Sequence, residues 1–229
     1  LNYYNVYQKP FGCLVHNPKN GNSLSNNTVN SIIEKNGLLW IGTAGGGLNC
    51  MDGSGKFRHF QYDPHDERSI SSNFISALFF DRDENLWIGT WGGGLNILES
   101  GNQDRFKHHV SSVDPYSLSN NFISSIIEYN EEYLIIGTEG ELNFFNRRSG
   151  HYFHLDEKAL SGIRISEVGC MLLDKKNNLW IGTRRGLFRL SNLSFSGDAL
   201  VIKPGDIQIF KETVNTPGLK GNYITTMIE

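Results

Sequence analysis

Three cysteines in 229 residues, Cys13, Cys50 and Cys170, are too few and of the wrong parity for a disulfide framework. Isolated thiols of this kind are expected to be small buried or half-buried side chains. No apolar run approaches the roughly 20 residues that cross a bilayer, and Leu1-Asn2-Tyr3-Tyr4 does not open like a signal peptide. Lysine and arginine form no block of about five or more and the net charge is −3, so no nucleic-acid partner is expected. No segment carries a capped 3.6-residue period over the roughly 10–12 residues of a helix. H-E-x-x-H, G-x-S-x-G, a P-loop and paired C-x-x-C are also missing, so neither an enzyme nor a cofactor is indicated. With 38% hydrophobic and 20% charged residues, what is left is a globular chain long enough for one large β domain.

The chain does contain a repeat. Leu1-Asn2, Leu48-Asn49, Leu95-Asn96 and Leu142-Asn143 recur every 47 residues. Ahead of them stand Leu39-Trp40-Ile41-Gly42-Thr43, Leu86-Trp87-Ile88-Gly89-Thr90, Leu134-Ile135-Ile136-Gly137-Thr138 and Leu179-Trp180-Ile181-Gly182-Thr183. Earlier still come serine and asparagine clusters, as in Ser23-Leu24-Ser25-Asn26-Asn27 and Ser117-Leu118-Ser119-Asn120-Asn121, each followed by an apolar run ending on an acid. A fixed period of this size means one supersecondary unit copied in tandem.

Each unit holds four short segments rich in β-branched and aromatic residues, separated by Gly, Asn and Asp. In the second unit they span 74–80, 85–90, 94–98 and 106–110, and we label them strands a to d. Four antiparallel strands in about 47 residues is the size of a β-propeller blade. The expected blades are 24–63, 70–110, 118–155 and 164–211, with a partial blade at 1–16 and the first strand of a further blade at 222–229. Four blades with two partial ones do not close comfortably, so an arc of a larger ring is expected.

The strand b tryptophan is expected to wedge between sheets, where its burial contributes about 2–3 kcal/mol. The third unit has Ile135 there and should pack less tightly or lean on Tyr133. Asp81-x-Asp83-x-Asn85 opens like a calcium loop but lacks the later glycine and acid, and reads as a turn. His108-His109 and His151-x-x-His154 lack further ligands, since neighbouring strand residues point to opposite faces.

The combination S-L-S-x-N, an acid, L-W-I-G-T-x-G-G-G-L-N, and a final aromatic strand closing in Asp63-Pro64 or Asp114-Pro115 resembles the two-component regulator propeller repeat. The likeness spans essentially the whole chain. It departs in the third unit, with Ile135 and Glu139-Gly140-Glu141, and in the fourth, which lacks S-L-S-x-N and carries an insert at 191–206. The resemblance implies the periplasmic sensor region of a hybrid two-component histidine kinase, with propellers of about seven blades. It also implies an immunoglobulin-like domain, one membrane span and a cytoplasmic kinase in the whole protein. An oligosaccharide ligand, contacts with other domains of the same sensor and a homodimer are its implied partners, and polysaccharide utilisation its implied output. A protein-binding scaffold is the alternative, and a polysaccharide lyase or glycosidase propeller a more distant one.

Strand direction places the b–c turns and d–a connections on one face of the ring. At the position after Gly-Thr the four units carry Ala44, Trp91, Glu139 and Arg184, followed in the last by Arg185. A purely structural turn has little reason to vary so widely, whereas loops on a rigid scaffold are where binding residues lie. Trp91 can stack on a sugar ring, and Arg184 with Arg185 can pair with a carboxylate or sulfate. Arg164 and Tyr116, in d–a connections, are further ligand candidates on that face.

Overall fold

A computed structural model describes residues 12–102, 104–155, 162–212, 219 and 221–229. The first part of the expected partial blade, 1–11, lies outside the described residues. The fold is all-β, and four sheets succeed one another along the chain as the blades of a β-propeller arc. Blade I comprises β1 (Val29–Lys35), β2 (Leu38–Thr43), β3 (Gly47–Met51) and β4 (Phe57–Phe60). Blade II comprises β5 (Ile75–Phe80), β6 (Leu86–Thr90), β7 (Leu95–Leu98) and β8 (Phe106–His109). Blade III holds β9 (Ile123–Glu128), β10 (Tyr133–Thr138), β11 (Asn143–Asn146) and β12 (Tyr152–His154). Blade IV holds β13 (Val168–Leu173), β14 (Leu179–Thr183) and β15 (Gly186–Leu190), then a small hairpin of β16 (Ser194–Phe195) and β17 (Leu200–Val201), and finally β18 (Ile207–Phe210). Every pairing within a blade is antiparallel, in the order a-b-c-d.

Blades join through their inner strands, β1 meeting β5, β5 meeting β9, and β9 meeting β13. The strand b glycine is what lets them approach. A Cβ on Gly42 would fall 2.5 Å from Ile75 Cγ2, on Gly89 2.8 Å from Ile123 Cγ2, and on Gly137 2.6 Å from Val168 Cγ1. Each is closer than carbon atoms pack, so the β-branched residue of the next blade occupies the space a side chain would need. Ile224 fills the same seat on Gly182, 2.7 Å from its virtual Cβ, and its N–H donates to the Thr183 carbonyl at 3.0 Å. Residues 222–229 thus lie along blade IV where a next inner strand would run, although they form no ladder there.

The polar signatures are joints of this scaffold. Among the described residues, the asparagines of three Leu-Asn pairs are buried and accept a backbone N–H from the serine cluster: Asn49 from Ser25, Asn96 from Ser71 and Asn143 from Ser119, at 2.8–2.9 Å. The last asparagine of each cluster ties the preceding blade to the next. Asn73 accepts from Tyr62 N at 2.8 Å and Asn121 from Ser111 N at 2.7 Å. Strand d histidines do similar work, with a ring nitrogen of His59, His108 and His154 bonding the carbonyl of Ser23, Ser69 and Ser117 at 2.7–2.8 Å. His109 points the other way, to the Tyr152 hydroxyl at 2.9 Å. The adjacent histidines therefore serve two different contacts.

Trp87 donates its indole N–H to Asp81 at 2.7 Å, and Trp180 donates to Asp174 at 2.9 Å. The same carboxylates accept backbone N–H groups two and four residues on, closing the a–b turn. The Asp81 segment is accordingly a turn that also anchors a tryptophan. Among the cysteines Cys50 is buried and Cys170 half-buried, but Cys13 is exposed. This corrects the expectation of three sheltered thiols, because Cys13 precedes the first sheet and no strand among the described residues covers it.

Candidate functional site

In all four blades the threonine of the strand b motif closes the b–c turn. Its hydroxyl donates to the carbonyl of Gly47, Gly94, Glu141 or Gly186, at 2.7–2.9 Å. Gly47 and Gly94 have φ of +80° and +77°, and a Cβ there would come within 2.3 and 2.4 Å of the Phe60 and His109 carbonyl oxygens. Only glycine fits such a position. A fixed turn thus presents one free side chain per blade, the residue after the threonine.

A second fixed device lies on the inner strands. Each has a register shift at the same place, between Val29 and Ser31, Ile75 and Ala77, opposite Gly137 and Thr138, and between Val168 and Cys170. The residues left out of the ladder are Asn30, Ser76, Ser124 and Gly169. Bulges re-aim side chains, and here all four bulged residues line one cavity. Asn30 Nδ2 donates to the Ile75 carbonyl at 2.8 Å and Ser76 Oγ to the Ile123 carbonyl at 2.6 Å, so the floor is polar and braced between blades.

The cavity measures about 470 Å³, and its walls carry Ala44, Trp91, Glu139 and Arg184, one residue from each blade. That volume lies within the roughly 300–1,000 Å³ of small-molecule sites. Trp91 is 54% exposed and meets Phe122 edge-on, with ring centres 6.2 Å apart. Phe74 is 53% exposed on the same wall. Opposite them Arg184 pairs with Glu139 at 3.1 Å and lies over the Tyr223 ring at 5.9 Å. Arg185 does not line the cavity, but its guanidinium pairs at 2.9 Å with Glu167, which does.

The other two sequence candidates lie elsewhere. Arg164 borders a separate hollow with Asp114, Glu141 and His154. Tyr116 stacks on His151 with ring centres 4.3 Å apart, a contact between connection and outer strand. Both sit away from the ring axis, because a d–a connection travels the full width of the blade and only its last residue reaches the centre.

That last residue is what the sequence reading missed. Directly before strand a the units carry Thr28, Phe74, Phe122, Glu167 and Tyr223, a series as varied as the one after Gly-Thr. Phe74, Glu167 and Tyr223 line the cavity, and Phe122 touches Trp91. The signal was available in the same register, one position past the cluster asparagine.

A family model described as the two component regulator propeller matches residues 23–45, 69–92 and 162–185. These spans run from the serine and asparagine region through the b–c turn of blades I, II and IV. Comparison with curated proteins gives no match. Among solved structures, the extracellular domain of BT3049 from B. thetaiotaomicron, assigned as a hybrid two component system, aligns with 90% of this chain and 31% of its own at 20% identity and a TM-score of 0.66. The extracellular domain of BT4673 from the same organism, assigned likewise, aligns with 86% of this chain and 24% of its own at 20% identity and a TM-score of 0.67. PorZ of Porphyromonas gingivalis, a surface component of the type-IX secretion system, aligns with 92% of this chain and 31% of its own at 17% identity and a TM-score of 0.59. The chain spans less than a third of each of these structures, and the likeness is one of fold. The two component regulator propeller model thus matches one stretch in each of blades I, II and IV, and the blade topology and the solved neighbours give the same propeller fold.

Proposed function

We propose that this propeller arc is a ligand-sensing, non-enzymatic part of a hybrid two-component sensor histidine kinase, held outside the cytoplasmic membrane, with an oligosaccharide as its ligand. One observation carries the reading: the residues that break the repeat, Trp91, Glu139 and Arg184, meet in one cavity over the ring axis. Scaffold positions hold the same residue from blade to blade, whereas these differ and face solvent together. Exposed tryptophan beside polar groups that can bond hydroxyls is chemistry suited to a sugar ring.

Occupancy of such a site is transmitted only if the ligand binds one arrangement of the sensor better than another. Contacts with further domains of the same protein, or with a second copy in a homodimer, supply the two arrangements in this reading. The test is autophosphorylation of the intact gene product in membranes, with and without saccharide digests of defined glycans. A response that Trp91→Ala abolishes while leaving basal phosphorylation unchanged is the expected result. A gene product without a kinase, or a response indifferent to Trp91, rejects the proposal.

A further inference from the structure

We infer that the ligand of this cavity is a neutral saccharide, with uronate and sulfated sugars selected against; the inference rests on the sensing role proposed above. Sequence alone suggested the opposite, because adjacent arginines are a natural seat for a carboxylate or sulfate. In the fold each of those arginines faces a carboxylate. Arg184 has Glu139 at 3.1 Å and Arg185 has Glu167 at 2.9 Å. Both glutamates line the cavity, against one lining guanidinium, that of Arg184.

The energy of these pairs is not the point, since exposed ion pairs contribute little to stability. Their effect is on the field. An arriving anion meets two lining carboxylates and the Arg184 guanidinium, with the Arg185 guanidinium paired to Glu167 just outside the cavity, all at separations that the Debye length of about 8–10 Å leaves largely unscreened. Attraction and repulsion then largely cancel, so the site has no net charge with which to recognise an anion. It keeps fixed, planar hydrogen-bonding groups that hydroxyls can use, acceptors in Glu139 and Glu167 and donors in Arg184.

The rest of the cavity agrees. Phe74 and Trp91 present exposed aromatic surface to a ligand, as the C–H face of a sugar requires. The floor carries amide and hydroxyl groups and no charge, and Ser124 Oγ there lacks a hydrogen-bond partner.

The experiment titrates the chain by calorimetry with two digests, one of neutral glycans and one of uronate-containing and sulfated glycans, at low and physiological salt. Neutral fragments should bind, with little dependence on salt, and Trp91→Ala should weaken them by about tenfold or more. Glu139→Gln, which leaves Arg184 without its partner, should raise affinity for the acidic digest by a few fold. Preferential, salt-sensitive binding of acidic fragments that Arg184→Ala removes overturns the neutral assignment while leaving the sensing role intact. Binding of neither digest, or binding unaffected by Trp91→Ala, overturns both.

Discussion

Blades II and III perform the same task with different parts. In blade II, Trp87 sits 3% exposed, donates its indole N–H to Asp81, and packs edge-on against Phe145 of blade III. In blade III, Ile135 stands in its place and has no polar atom to anchor. The acid equivalent to Asp81 is Glu128, which turns outward to Arg82 and to Arg147 at 2.8 Å. Arg147 also reaches Asp83 at 2.6 Å, so the freed acid becomes part of a charged tie between the two blades.

The volume that an indole would occupy in blade III is filled from blade IV. Phe195, in the hairpin insert, stacks on Tyr133 with ring centres 4.0 Å apart and also packs against Phe144 and Phe153. Tyr133 donates to the Gly197 carbonyl at 3.0 Å, and Tyr129 to the Leu193 carbonyl at 3.1 Å. Asp198, at the hairpin tip, accepts from Asn146 at 3.0 Å and from Ser149 at 2.8 Å. The two irregularities of the repeat, a missing tryptophan and an insert one blade later, are therefore one compensated feature. A regular blade carries its own wedge; an irregular one borrows it.

Excising residues 191–206 and joining β15 to β18 by a two-residue turn is the strongest way to break this pairing of blades. Leu190 and Ile207 already face each other across the ladder, so the shortened hairpin can close. Exposing Tyr133, Phe144 and Phe153 should cost on the order of 5 kcal/mol, seen as a lower urea midpoint. Trp87→Ala should follow closely, losing about 3–5 kcal/mol, because it opens a cavity and leaves the buried Asp81 without its indole donor. Were blade III truly borrowing its wedge, Ile135→Trp should destabilise by about 1–3 kcal/mol in the native chain and much less when combined with Phe195→Ala. A double-mutant cycle measures that coupling, and simple additivity would refute it.

Acid titration sharpens the comparison further. Burial, reinforced by nearby Lys107 and His108, pushes His109 below its ordinary value. The unfolded chain then binds the proton first, so stability is full above about pH 6.5 and falls as pH drops through the lowered folded value. Asp174 is held well below the usual carboxylate range, chiefly by the Trp180 indole N–H and then by Asn178. Its contribution is complete above about pH 3.9 and is lost as pH falls towards the folded value. Urea midpoints followed from pH 8 to 3 should show both limbs, with His109→Gln removing the first and Asp174→Asn the second. Smallest of all, Trp91→Ala should move stability by less than about 0.5 kcal/mol, since its side chain is exposed.

Much of this could be read from one copy laid over another. The strand b glycine recurs in all four blades because it meets a β-branched side chain each time, and the Leu-Asn asparagine of blades I to III recurs because it meets the serine cluster each time; such recurrence is visible in a sequence. Trp91, Glu139 and Arg184 were visible for the converse reason, as variation at a fixed turn. Arg164 and Tyr116 lie apart from the cavity that Trp91, Glu139 and Arg184 share, because register gives a residue's place along the strand and not its radius. Phe195 could not be matched to Tyr133 at all, since the insert has no counterpart in the repeat and its contact spans 62 residues of chain.

By itself, then, the sequence determined the blade, its joints and the one position per turn that is free to vary, because a repeating backbone imposes repeating sterics. Tertiary structure alone decided which free positions converge, that each arginine at the mouth faces a glutamate, and that blade IV supplies the aromatic wedge of blade III. Those outcomes depend on distances between blades, and the charge a ligand meets is a sum over neighbours that no single repeat contains.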